Sequence, residues 1–229
     1  MSSARTTTSM GNSRPLIPLE VDRPEHLRYR RLLDPFFSPN RLRPLEPSLR
    51  QQISELIDTF IDKGAVDLLS DLFVPYPTQV FHTLYGLPLK DRPKFLRWKD
   101  MMIREGLTDP TSGARAVGEL EAYMTTYFDE RNAGGEDLIS QFLLPNDRGD
   151  SLSREEIFDI TALFIMAGLD TVTTALVHSF AFLARHPAER RRIVDDSSLI
   201  PGAVEELIRT TTPLPPRFGS QPRRSSSPG

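Results

Sequence analysis

Apolar positions recur at helical spacing through most of this chain. Leu49, Ile53, Leu56, Ile57 and Phe60 stand three or four residues apart, on one side of an amphipathic helix. No run alternates with the period of two that marks half-buried strands, and no segment repeats. The spacing predicts a mainly α protein. Its longest predicted helix opens at Ser153-Arg154-Glu155-Glu156, a capping box. There the Ser153 hydroxyl accepts from the amide three residues on and Glu156 reaches back. No proline stands between Pro145 and Pro187, so the helix can run to about Arg185, where His186-Pro187 stops it.

From Ile160 to Ala184 this helix carries one formal charge, Asp170. A membrane span needs about 20 apolar residues, so that reading competes. Polar content argues against it: Thr161, Thr171, Thr173, Thr174, His178 and Ser179 lie inside, and Asp170 near the midpoint would cost about 2.5–3.5 kcal/mol on insertion. A helix apolar on nearly all sides fits the buried axle of a larger protein instead. Its middle reads Ala167-Gly168-Leu169-Asp170-Thr171. A glycine there costs about 1 kcal/mol relative to alanine. Two readings account for it: close packing of another helix, or room for something flat against the backbone. An Asp-Thr pair beside such an opening can hold a water and relay protons.

Composition narrows the chemistry. The 229 residues hold 28 Lys plus Arg against 31 Asp plus Glu, a net charge of −3, which argues against a nucleic-acid binder. Zero cysteines exclude disulfides, thiolate catalysis, iron–sulfur clusters and cysteine-bound zinc. The four histidines show no zinc-type spacing, so no metal site is expected. Phosphate loops and nucleophile elbows are also missing. Residues 1–14 read as a polar, disordered leader without an apolar signal core, which makes the cytoplasm the expected compartment. In 217–229, eleven of thirteen residues are Arg, Ser, Pro or Gly, and this tail reads as disordered. Arginine outnumbers lysine 24 to 4, so out-of-frame translation of GC-rich DNA from near Pro216 is one expected origin. One domain is expected over residues 15–216.

Three motifs, in order, carry a resemblance. Ala167-Gly168-Leu169-Asp170-Thr171 is similar to the central-helix signature of the cytochrome P450 family, Ala/Gly-Gly-x-Asp/Glu-Thr. The stretch from Asp22 to Arg31 resembles the family's His-x-x-x-Arg helix through His26 and Arg30, and Glu206-Leu207-Ile208-Arg209 resembles its Glu-x-x-Arg helix. Gly135 to Ser140, Leu152 to Glu156 and His186-Pro187 look like its connecting phrases. On the residues alone, His26 and Arg30 share a face that either grips an anion or is merely a solvated basic surface. The resemblance implies that this pair holds a haem propionate and that Ala167 and Gly168 lie over the haem. It further implies that Asp170 and Thr171 serve oxygen activation and proton delivery, and that Glu206 and Arg209 form a structural ion pair.

The implied fold is the helical core of the family with the long central helix and most of the β structure missing. The implied activity is monooxygenation of a small organic substrate, with haem as cofactor. Electrons would come from a ferredoxin-type partner, for which Arg28 and Arg31 are candidate docking residues. The family's iron is ligated by a cysteine on a later loop, and this chain has no cysteine. The expectation is therefore a chain truncated at both ends and catalytically incompetent. The alternative is a non-enzymatic helical remnant with at most weak haem or small-molecule binding.

Overall fold

Prolines, so frequent in this chain, stand in the first turns of its helices, where a missing N–H costs nothing and the fixed φ is already helical. The computed structural model describes residues 15–130, 135–146 and 149–210. The predicted leader 1–14 and tail 217–229 lie outside them. Ten α-helices follow in order among the described residues: α1 (Glu25–Leu33), α2 (Pro39–Leu42), α3 (Glu46–Asp58), α4 (Pro75–Tyr85), α5 (Arg92–Ile103), α6 (Pro110–Asp129), α7 (Leu138–Phe142), α8 (Arg154–Arg185), α9 (Pro187–Asp195) and α10 (Ile200–Thr210). Proline occupies one of the first two positions of α2, α3, α4, α5, α6 and α9. No strand occurs among the described residues. The predicted stripe of Leu49, Ile53, Leu56, Ile57 and Phe60 is the half-buried side of α3 and the turn after it.

The chain divides into two compact units, one up to Asp170 and one from Thr171 on. In the first, α5 and α6 pack side by side. The core holds Tyr85, Phe95, Phe142, Met101, Leu120 and Met124 with less than 2% exposure. Its aromatics are arranged edge-on or stacked: Phe81 lies on Tyr85 with ring centroids 4.4 Å apart, and Phe95 meets Trp98 at 5.1 Å, contacts that add to their area burial. The Trp98 indole N–H donates to Glu119 at 2.9 Å and the Tyr123 hydroxyl to Asp91 at 3.0 Å, so polar tips are satisfied at the edge of the core. Gly86, with φ of +67°, ends α4 in a left-handed turn where the Leu87 amide donates to the His82 carbonyl at 2.8 Å.

By length and composition α8 is apolar enough to cross a membrane. Its first part is nevertheless inside protein: Ile157, Ile160 and Ile165 are fully buried in the core of the first unit. Burial ends at Leu169. The expected buried axle is thus realised over 157–169 only, because the described residues offer no cover for the apolar sides beyond. In the second unit no side chain from Thr171 to Thr210 is buried.

His82 is the one histidine wholly buried. Its Nδ1 stands 2.8 Å from the Thr78 carbonyl, which requires the proton there, and its Nε2 has no partner. Burial pushes this imidazole below its ordinary value; the bond to Thr78 and the charge of Asp91 oppose that, and Arg92 adds to it. A histidine depressed on folding binds fewer protons native than unfolded, so its contribution is complete above about 6.5 and is lost as pH falls from there through its lowered native value. Thermal melts between pH 8 and 5 should therefore fall more steeply for the wild type than for His82→Asn, which keeps a donor for Thr78. Parallel slopes would refute this role.

Candidate functional site

The helix α8 begins with the predicted capping box. The Glu156 amide donates to the Ser153 hydroxyl at 3.1 Å, and the Ser153 amide donates to the Glu156 carboxylate at 2.7 Å. The other oxygen of Glu156 accepts from Arg28 at 2.6 Å and from the Tyr29 hydroxyl at 2.8 Å, joining α1 to the start of α8. Burial alone would raise this carboxyl. The hydrogen bonds from Arg28, the Ser153 amide and Tyr29 outweigh it and hold the group below the usual range. Tyr29 is correspondingly pushed up to about 12, by burial and by Glu156. Arg28 also bonds Asp150 at 3.2 Å and the Ser151 carbonyl at 2.7 Å. Arg28, its side chain 34% exposed, thus already ties α1 to the start of α8 through these acceptors.

His26 and Arg30 lie one turn apart on α1, with His26 half-buried and Arg30 exposed. Pro24 is the N-cap, one position before the first helical residue. Arg30 pairs with Asp34 at 2.9 Å, both side chains 54% exposed. Such a surface pair contributes about 0–1 kcal/mol and yields readily to a competing carboxylate.

At the middle of α8, Ala167 and Gly168 are both exposed, and a Cβ added to Gly168 would meet nothing within 4 Å. Close helix packing among the described residues is therefore not the reason for this glycine. Asp170 is half-buried and accepts from the Lys99 ammonium on α5 at 3.0 Å. Lys99, only 5% exposed, also approaches Asp100 at 3.1 Å, and Arg104 stands 3.9 Å from Asp170. Lys99 is the partner of Asp170 that sequence reasoning missed. The lone charge in an apolar helix signals that some partner exists, but nothing marks which of the cations it is. Thr171 is half-buried on the following position.

The profile of the cytochrome P450 family matches residues 119–206. A curated relative, cytochrome P450 CYP107DY1 of Priestia megaterium, is 32% identical over 200 residues, 86% of this chain and 48% of the relative. Vitamin D(3) 25-hydroxylase of Pseudonocardia autotrophica is 31% identical over 88% of this chain and 51% of that protein. Among solved structures, the Bacillus subtilis cytochrome P450 PksS superposes with a TM-score of 0.79 at 28% identity, over 83% of this chain and 49% of that one. The myxobacterial cytochrome P450 CYP267B1 gives 0.74 at 34% identity, over 83% and 48%.

The chain belongs to the cytochrome P450 family. It spans about half the length of the curated P450 relatives it matches, and it has the helical part of the P450 fold. P450 proteins use haem. The residues present fit that group in part. The weakly held Arg30 beside His26 suits a carboxylate, and the uncovered Ala167-Gly168 backbone suits a flat ring. A thiolate for the iron is missing, since the 229 residues include no cysteine. The set therefore does not fit a complete haem-thiolate centre.

The Glu206–Arg209 pair of the P450 Glu-x-x-Arg helix forms as a two-pronged contact at 2.6 and 2.8 Å on α10. Both side chains are exposed. The bond from Arg209 holds the Glu206 carboxyl below its ordinary range. Elsewhere, His178 and His186 are exposed, the latter stacked on Phe182 with centroids 4.0 Å apart. No group of three or more His, Asp or Glu suited to a metal occurs among the described residues.

Proposed function

We propose that this chain is the helical, haem-gripping half of a P450 monooxygenase and that these 229 residues alone do not catalyse oxygen insertion. The observation that carries the reading is the open Ala167-Gly168 backbone, flanked by Asp170 and Thr171, in a chain without a thiolate. In the complete protein haem would supply activation of O₂ and insertion of one oxygen atom into a small organic substrate. His26 and Arg30 would hold one of its propionates, Arg30 giving up Asp34. Ala167 and Gly168 would leave room for the ring. Asp170 and Thr171 hold and pass protons, with Lys99 positioning the Asp170 carboxylate. Glu206 and Arg209 brace α10. A ferredoxin-type protein supplies electrons, with Arg31 among its contacts, and the protein works in the cytoplasm without spanning a membrane.

A second reading, a non-enzymatic helical remnant with at most weak haem or small-molecule binding, is favoured by the missing cysteine. Titration of the purified chain with haemin, followed by Soret absorbance and by quenching of Trp98, separates the two. The half-site reading expects saturable uptake weakened about tenfold by Arg30→Ala or His26→Ala, the loss of roughly one charge-assisted hydrogen bond. Uptake indifferent to both substitutions leaves the remnant reading.

A further inference from the structure

The end of α1 with the turn after it and the end of α7 with the loop after it line a cleft of about 230 Å³. Neither His26, Arg30 nor any of residues 167–171 lines it, so it is separate from the haem half-site. Its walls are apolar: Leu32, Phe142 and Leu152 are buried there, and Leu144 and Pro145 stand exposed beside them. The half-buried Phe36 meets Phe142 edge-on, with ring centroids 5.2 Å apart. A flat ring entering beside Phe36 extends an aromatic cluster already begun.

Arg31 is the only charged residue among those described that line the cleft. Its neighbours on α1 are committed, Arg28 to Asp150 and Glu156 and Arg30 to Asp34. Arg31 itself is exposed and makes no hydrogen bond or ion pair among the described residues. Asp34 and Asp150 already face an arginine each, so neither offsets its charge. The other polar residues of the cleft are engaged as well. Gln141 donates to the Gly135 carbonyl, and Asn146 accepts from the Asp150 amide at 3.0 Å. Apolar walls with one uncommitted cation suit a small acid with an apolar body, and the guanidinium fork matches a carboxylate. Pockets for drug-sized ligands run to about 300–1,000 Å³, so this smaller cleft suits a single ring. We propose that it is a binding site for a small aromatic carboxylate, the ring beside Phe36 and the carboxylate on Arg31. Neither haem nor a thiolate takes part, so this binding stands whether or not the chain takes up haem.

The test adds benzoate to the purified 229-residue chain and follows the ligand's signals by saturation-transfer NMR, with benzamide and inorganic phosphate as comparison probes. Benzoate is expected to bind saturably with a Kd on the order of a millimolar, and benzamide about tenfold or more weakly. Arg31→Gln should weaken benzoate about tenfold. Leu144→Asp, which sets a like charge at an exposed wall, should weaken it by at least as much. Unchanged far-ultraviolet circular dichroism and Trp98 fluorescence establish that both variants fold. The benzamide and phosphate comparisons use the wild-type chain and decide the matter even if a variant does not fold. Four results overturn the proposal. Benzoate could fail to bind saturably, or benzamide could bind as well, which leaves only an apolar crevice. Phosphate could bind as well as benzoate, which makes Arg31 a general anion contact. Benzoate could bind Arg31→Gln as tightly as the wild type, which places the ligand elsewhere.

Discussion

Incubated with haem, reduced and exposed to carbon monoxide, the 229-residue chain should give no thiolate-type absorption band, and with a redox partner it should oxidise no organic substrate. The expectation is all-or-none because it depends on an element. The chain has six methionines and no cysteine, and a thioether is a neutral ligand without the electron push of a thiolate. The proposed grip of His26 and Arg30 on a porphyrin edge does not alter this. A reduced-minus-oxidised difference spectrum under carbon monoxide decides the matter, and a thiolate-type band from this polypeptide would defeat the reading outright.

Removing Asp170 should cost more stability than removing Lys99, although the two form one ion pair. The Lys99 side chain is 7% exposed and that of Asp170 33%. Asp170→Ala strands an ammonium inside the protein with only Asp100 as a remaining neighbour, at 3.1 Å. Lys99→Met leaves a carboxylate that water and Arg104 already reach. The costs should be about 2 kcal/mol for Asp170→Ala and about 1 kcal/mol for Lys99→Met, reduced from fully buried values because solvent touches the acid. The double variant should recover part of the sum, since it leaves no stranded charge. Denaturant midpoints of the three variants test this, and an equal or larger loss for Lys99→Met would count against the asymmetry.

Features confined to neighbouring residues were legible in the sequence. The Ser153–Glu156 box, the stop at His186-Pro187 and the Glu206–Arg209 pair each lie within one turn, where spacing alone determines what can touch. Contacts between distant segments were not. Lys99 and Asp170 are 71 residues apart, and one lysine among many cations carries no mark of its partner. Arg28 read as a surface charge for the same reason: its acceptors, Asp150 and Glu156, come more than 120 residues later. Composition misled about the second half of α8. Apolar content shows that a helix wants cover, but it cannot show whether these residues supply it, and past Leu169 the described ones do not. The openness around Gly168, too, is a property of what is not nearby, which no local pattern encodes.

Glu156 imposes an order on biosynthesis. The carboxylate that anchors Arg28 and Tyr29 enters the chain 128 residues after Arg28. At the usual pace of translation the first helix therefore leaves the ribosome roughly ten seconds before its anchor exists. During that interval Tyr29, Leu32 and Leu33, buried in the finished fold, stay uncovered on the nascent chain. Chaperone capture of nascent chains should accordingly be strongest for those that stop short of residue 156 and should fall once the capping box has emerged.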